Sequence, residues 1–82
     1  MVKEAFYTVI ETQVATDGTK SVVPVVIDDW DNALSRYYTI LASAAISTIP
    51  YHAACIIGDD GIMKEGRVFD RRVEPSPEPE NA

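Results

Sequence analysis

Hydrophobic and polar residues alternate along the first part of the chain, which is the period of a β-strand. Within residues 5–14, one alternating set is Phe6, Thr8, Ile10, Thr12 and Val14, and the other is Tyr7, Val9, Glu11 and Gln13. Asp17-Gly18 follows, a dipeptide that tolerates the positive φ angles of a type I′ turn, and residues 21–27 then return as a second strand. Pro24 has no amide hydrogen to donate, so this second strand is expected at an edge of the sheet. The pattern predicts a β-hairpin with a two-residue turn.

Between residues 28 and 48 the hydrophobic period changes to that of a helix. At 100° per residue, one face collects Trp30, Ala33, Leu34, Tyr37, Leu41, Ala44 and Ala45. Asp28 is the predicted N-cap, with Asp31 three residues later, and Pro50 is expected to end the helix. Ile46 falls on the otherwise polar side, which a monomer does not explain.

Two further strands are predicted after Pro50. Residues 51–57 and 62–69 are rich in strand-forming side chains and flank a second Asp-Gly turn at residues 58–61. The predicted fold class is therefore α+β, in the order β-β-α-β-β, with an antiparallel four-stranded sheet and one long helix packed on one face. We assign residues 1–73 to a single α+β domain. Residues 74–82 hold three prolines and three glutamates, which predicts a disordered acidic tail.

A two-residue turn at Asp17-Gly18 fixes which residues share a face. It places Ile10 opposite Val25, and the helix is then expected to cover the face that also carries Phe6 and Val14. The opposite face would hold Tyr7, Val9, Val22, Pro24 and Val26. One helix covers one face of a sheet, so these five residues form a candidate interface. The alternative interpretation is that β-branched residues are simply good strand formers scattered on an exposed face.

Charge and cysteine content exclude several classes of partner. The 82 residues contain 13 acidic and 7 basic side chains, a net charge of −6, and the tail carries three of the acids. A body with net charge −3 repels phosphate backbones and anionic lipid, so no nucleic acid and no membrane is expected as a partner. The N-terminal residues contain no signal-peptide pattern, and the one cysteine suits a reducing compartment; the expected localisation is cytoplasmic.

Few residues are candidates for chemistry. His52 and Cys55 are three apart on a predicted strand, so they point to opposite faces and cannot share a metal or form a nucleophilic pair. Helix capping accounts for Asp28, Asp29 and Asp31, and turn chemistry for Asp59 and Asp60, without a cation. The sequence therefore predicts no catalytic residue, no metal and no cofactor.

Three segments together resemble a group of small proteins. EAFYTVIETQ, ALSRYYTILASAAIS and YHAACIIGDDG, within residues 4 to about 61, are similar to short uncharacterised proteins encoded by anaerobic gut Firmicutes and their phages. The shared residues are fold-determining ones, so no functional site can be transferred. The resemblance implies a mobile element as genomic context.

These observations favour a small non-enzymatic interaction protein that self-associates, expected as a dimer, or docks a protein partner through an apolar sheet face. A phage or mobile-element accessory or virion component is the corresponding role. The alternative is an acidic inhibitor that imitates nucleic acid against a basic partner, which a net charge of −6 permits.

Overall fold

The computed structural model describes residues 5–72, which contain four strands and one helix. The strands are β1 (Tyr7–Val14), β2 (Lys20–Ile27), β3 (Tyr51–Gly58) and β4 (Met63–Asp70), and the helix is α1 (Trp30–Ile46). The predicted order β-β-α-β-β is confirmed. The predicted tail, residues 74–82, lies outside the described residues.

The four strands form one antiparallel sheet in the order β2-β1-β3-β4. β2 and β3 are both antiparallel to β1, so they run in the same direction and need a long connection, which α1 supplies by crossing the sheet. The predicted α+β fold with one helix against an antiparallel sheet is confirmed. Pro24 lies in β2, an edge strand, as its missing amide hydrogen predicts.

The turn of the first hairpin is one residue longer than predicted. The Ala15 N–H donates to the Thr19 carbonyl at 2.8 Å and the Gly18 N–H to the Ala15 carbonyl at 2.9 Å, enclosing the three residues 16–18. Gly18 has φ 90°, which is the left-handed residue of a three-residue hairpin loop. The Asp17 carboxylate accepts from the Thr19 N–H at 2.9 Å and holds the loop closed.

The second hairpin repeats this loop. The Gly58 N–H donates to the Ile62 carbonyl and the Gly61 N–H to the Gly58 carbonyl, both at 2.9 Å. Gly61 has φ 81°, and the Asp60 carboxylate accepts from the Ile62 N–H at 3.0 Å. Asp-Gly thus ends both loops with the glycine in the left-handed position, rather than occupying the centre of a two-residue turn.

The extra turn residue reverses the predicted faces of β1. Val9 pairs with Val25, where the two-residue turn would have placed Ile10. Since successive strand residues point to opposite faces, this one-residue shift turns every side chain of β1 over relative to β2. The side of β1 that α1 covers holds Tyr7, Val9, Glu11 and Gln13, and the prediction that α1 covers Phe6, Thr8, Ile10, Thr12 and Val14 is wrong.

The core lies between α1 and this side of the sheet. Its buried members are Val9, Ala33, Tyr37, Ile40, Ala54 and Ile56. The small Ala33 and Ala44 let the helix backbone lie close to β1 and β3, and the Tyr7 ring meets Trp30 edge-on with centroids 5.2 Å apart. The helix face matches the prediction except that Ile40 is buried and Ala45 is exposed.

Both ends of α1 depend on particular side chains. The N-cap is Asp29 rather than the predicted Asp28; its carboxylate accepts from the Asn32 N–H at 2.8 Å. The helix ends at Ile46, ahead of Pro50, and its last turn contains no basic residue. Arg71 supplies the missing donors from the end of β4, at 2.9 Å to the Ala44 carbonyl and 3.1 Å to the Ala45 carbonyl.

Candidate functional site

The side of the sheet away from α1, which we call the open face, is apolar over most of its area. It is made of the residues that alternate with the core-facing set, and α1, the helix of the described region, lies on the other side. The open face holds Thr8, Ile10, Thr12 and Val14 of β1, Val22, Pro24 and Val26 of β2, Tyr51, Ala53, Cys55 and Ile57 of β3, and Met63, Gly66 and Val68 of β4. An antiparallel sheet normally presents polar side chains to water on such a face.

On one half of the open face the side chains are strongly exposed. Val22, Pro24 and Val26 project from the edge strand β2, and the two valines are 61% and 64% exposed. Their branched and ring side chains stand next to one another at alternate positions along the strand. We call these three residues the ridge.

The other half of the open face is hollow. A depression of about 430 Å³ lies over β1, β3 and β4, and it is lined by the small residues Ala53, Cys55 and Gly66 and by larger side chains such as Ile10, Tyr51 and Met63. Gly66 contributes no side chain to this surface, and the Met63 sulfur lies 2.7 Å from where a Cβ atom at this position would be. We call this depression the trough.

Charged groups lie at one end of the open face. Lys20 begins β2 and Asp70 ends β4, in the same row across the sheet. Arg72 donates to both carboxylate oxygens of Asp70, at 2.9 and 2.8 Å, and this hydrogen bonding lowers the pKa of Asp70 to about 2. The same guanidinium stacks 4.6 Å above the Tyr51 ring. The middle of the face therefore remains uncharged.

The structure divides the five residues of the predicted interface. Val22, Pro24 and Val26 lie on the open face, as expected. Tyr7 and Val9 do not: Val9 is 1% exposed in the core, and Tyr7 packs on Trp30. The prediction for these two residues is wrong because it rested on the two-residue turn. Ile10 and Thr12 take their place on the open face.

A partly buried polar cluster lies on the opposite side of the sheet, the side that α1 covers. His52 is 2% exposed, and its Nε2 lies 2.6 Å from Glu11 Oε2. The Gln13 amide donates to the same carboxylate oxygen at 3.0 Å. Glu11 and Gln13 belong to β1 and His52 to β3, so the cluster joins the two central strands by side-chain contacts. Sequence reasoning missed it, since the reversed register had placed both β1 residues on the other side.

The hydrogen bonds of the cluster determine the tautomer of His52. A carboxylate accepts only, so the contact with Glu11 puts the imidazole proton on Nε2. Nδ1 is buried and has no hydrogen-bond partner within residues 5–72. In a catalytic triad, a carboxylate orients a histidine that activates a hydroxyl or thiol. The Glu11–His52 pair resembles the first two members, but within the described residues no hydroxyl or thiol is in contact with His52.

Cys55 lies on the open face, across the sheet from His52, as the spacing of three predicts. Burial raises the pKa of its thiol above the ordinary value. Because the thiolate is the nucleophilic form, this shift makes Cys55 less reactive than a free cysteine. Its place in the lining of the trough matches a small apolar side chain.

The acidic residues occupy structural positions. Asp29 caps α1, and Asp17 and Asp60 each hold a hairpin loop. The pKa of Asp17 is lowered by its hydrogen bond from Thr19, and the pKa of Asp60 is lowered by its hydrogen bond from Lys64.

Within residues 5–72, no three His, Cys, Asp or Glu side chains are grouped closely enough to hold a metal ion. No helix in this part of the chain has the length and hydropathy of a membrane span. Comparison with protein-family models, curated proteins and solved structures found no match to the chain.

Proposed function

We propose that this chain is a non-enzymatic interaction protein that self-associates through the open face of its sheet. The observation that carries the proposal is the continuous apolar surface formed by Val22, Pro24 and Val26 together with the neighbouring trough. Exposed apolar patches of this kind are sites of protein contact, because covering them removes hydrophobic surface from water.

The size of the open face supports a dimer of modest stability. Strands of eight residues at about 3.3 Å per residue, spaced about 4.8 Å apart in a four-stranded sheet, give roughly 500 Å² per copy. Two faces in contact bury roughly 1,000 Å², which is the lower end for a specific interface. We therefore expect association that depends on concentration, rather than an obligate dimer.

A second copy fits this surface better than residues 74–82 do. Residues 74–82 contain three glutamates and three prolines and only a terminal alanine as a hydrophobic residue. Such a segment has little apolar area to place against valine and isoleucine side chains. The same face of a second molecule offers apolar area of equal extent, and sheets commonly pack face to face about 10 Å apart.

The proposed role is structural, as an accessory or virion component of a phage or mobile element, which is the context that the sequence resemblance implies. His52 supports this assignment by holding β1 to β3 through Glu11, a packing role. Cys55 supports it as an unreactive thiol on the contact surface. A free thiol in place of a disulfide fits the reducing interior of a cell.

Sedimentation velocity over a range of concentrations tests the proposal. Wild-type protein is expected to shift from monomer to dimer, and Val26→Lys to remain monomeric with unchanged circular dichroism, since position 26 is away from the core. Ser43→Lys adds the same charge to the exposed side of α1 and should dimerise like wild type. A wild-type protein that stays monomeric at the highest concentration reached would overturn the proposal.

A further inference from the structure

We propose that the two copies are related by a two-fold axis parallel to the strands, so that the ridge of each copy fills the trough of the other. This inference rests on the proposed self-association and adds the arrangement of the two molecules. Its basis is that one face carries both a projecting edge strand and a hollow of about 430 Å³. A symmetric dimer requires such self-complementary surfaces.

The sheet order determines what this axis brings together. In the order β2-β1-β3-β4, an axis between β1 and β3 exchanges β2 with β4 and β1 with β3. Pro24, Ile10, Cys55 and Gly66 form one row of paired residues across the sheet. Rotation therefore places Pro24 against the partner's Gly66 and Ile10 against the partner's Cys55. Each large side chain of the row meets a small one.

The neighbouring rows also give compatible contacts. One row places Val22 opposite the partner's Val68, and another places Val26 opposite the partner's Met63, so apolar side chains meet apolar side chains. In the charged row, Lys20 falls opposite the partner's Asp70, which Arg72 holds in its ionised form. The paired strand residues of these rows bring no like charges together, and the positive group nearest the partner's Lys20 is Arg72, which is itself neutralised by Asp70.

The other symmetric way to stack the sheets fails on shape. A two-fold axis perpendicular to the strands leaves β2 facing β2, with Pro24 against the partner's Val22. Ridge then meets ridge and trough meets trough, which separates the faces on one side and encloses an empty volume on the other. Interfaces pack as densely as protein interiors, and an unfilled apolar cavity is destabilising. The strand-parallel axis avoids both costs.

Gly66→Val tests this arrangement because the valine, together with the Met63 side chain that must move to admit it, takes up space in the trough. The φ of Gly66 is not in the left-handed region, and the nearest atom to an added Cβ is the sulfur of the flexible Met63 side chain, so the monomer should accept valine. Valine is the better strand former, so the melting temperature should not fall. The dimer should dissociate about tenfold more readily or worse, since overpacking a matched surface is costly. Adding Pro24→Ala to this variant should restore part of the affinity.

Ser21→Val is the matched control, because it adds the same side chain to an exposed position of an edge strand on the side of α1. It should leave the dissociation constant unchanged. Should Gly66→Val dimerise like wild type while Val26→Lys is monomeric, the face is right and the strand-parallel axis is overturned. A monomeric wild type would instead overturn the proposed function itself.

Cross-linking gives a second test that does not depend on a valine at position 66. In a Cys55→Ala background, Pro24→Cys and Gly66→Cys proteins are mixed and treated with a short bismaleimide. The proposed axis predicts a covalent heterodimer for this mixture and none for Pro24→Cys mixed with Val22→Cys. The opposite result selects the perpendicular axis and overturns the inference.

Discussion

Val9 of β1 pairs directly with Val25 of β2, and this single pairing decides which face of the sheet each residue of β1 occupies. The pairing follows from the three residues enclosed between Ala15 and Thr19. It places Val9 beneath α1 and leaves Ile10 on the open face. The core and the proposed interface therefore both depend on the length of one turn.

Val9→Ala measures the burial that this register produces. Val9 is buried in the core, so the substitution should lower the free energy of unfolding by about 2 kcal/mol through lost burial and the cavity it leaves. Val14→Ala, the same change on the open face of the same strand, should cost less than about 1 kcal/mol in the monomer. Urea unfolding at low protein concentration makes the comparison. A larger loss at Val14 would indicate the two-residue turn instead.

The elements of this fold were readable from the sequence, and the face assignment of β1 was not. Strand and helix periods are local properties, and Pro24 alone indicated an edge strand. Asp17-Gly18 is compatible with a two-residue and a three-residue loop, and the alternation in β1 did not decide between them. Glu11 and Gln13 made the true core face look polar, because their partner His52 is 41 residues away from Glu11.

Of the open face, the part formed by β2 was predicted from the sequence, and the part that forms the trough was not. Val22 and Val26 were placed correctly because the faces of β2 were assigned correctly relative to α1. The trough was not predicted, since it arises where Cys55 pairs with Gly66 in the second hairpin, and the register of that hairpin depends on its loop length and on a bulge near Ile56, which local periodicity does not determine.

The Glu11–His52 contact should stabilise the fold as a coupled pair. Glu11→Leu removes the carboxylate from Nε2 of the buried imidazole and leaves the Gln13 amide, 3.2 Å away, as its side-chain contact, so a cost of about 1–3 kcal/mol is expected. His52→Leu should cost a similar amount by removing the partner of the carboxylate. The double variant should be less destabilised than the sum of the two, because no polar group of the pair is then left unpartnered. A double-mutant cycle from urea unfolding measures this coupling, and strict additivity would show that the contact contributes nothing.

The two hairpin loops should respond alike to loss of glycine. Gly18 and Gly61 both have positive φ, with no atoms within 4 Å of an added Cβ, so alanine is opposed only by backbone strain. Each substitution should cost about 1 kcal/mol. Gly66→Ala has no such strain and should be neutral or stabilising. Thermal unfolding of the three variants provides the comparison, and a destabilised Gly66→Ala combined with a neutral Gly18→Ala would contradict the loop assignment.

Asp70 should make stability depend on pH at the acid end. Its pKa is lowered from 3.8 to about 2 by hydrogen bonds from Arg72, so the folded state favours the ionised form. A lowered pKa contributes stability above the unfolded value and loses it as the pH falls toward 2. Wild type should therefore exceed Asp70→Asn in melting temperature near neutral pH, and the difference should shrink as the solution is acidified through this range. A difference that is constant with pH would show that the carboxylate charge is not involved.

Cys55 should report on the open face through its alkylation rate. Burial raises the pKa of its thiol, so iodoacetamide should modify the monomer more slowly than a free cysteine at the same pH. In the proposed dimer the side chain also lies beneath the partner's Ile10, so the rate per molecule should fall further as protein concentration rises. Val26→Lys, which is expected to prevent dimerisation, should remove this concentration dependence while keeping the slow monomer rate. Mass spectrometry of samples quenched over time gives both rates, and a wild-type rate that is independent of concentration across the dimerisation range would place Cys55 outside the contact.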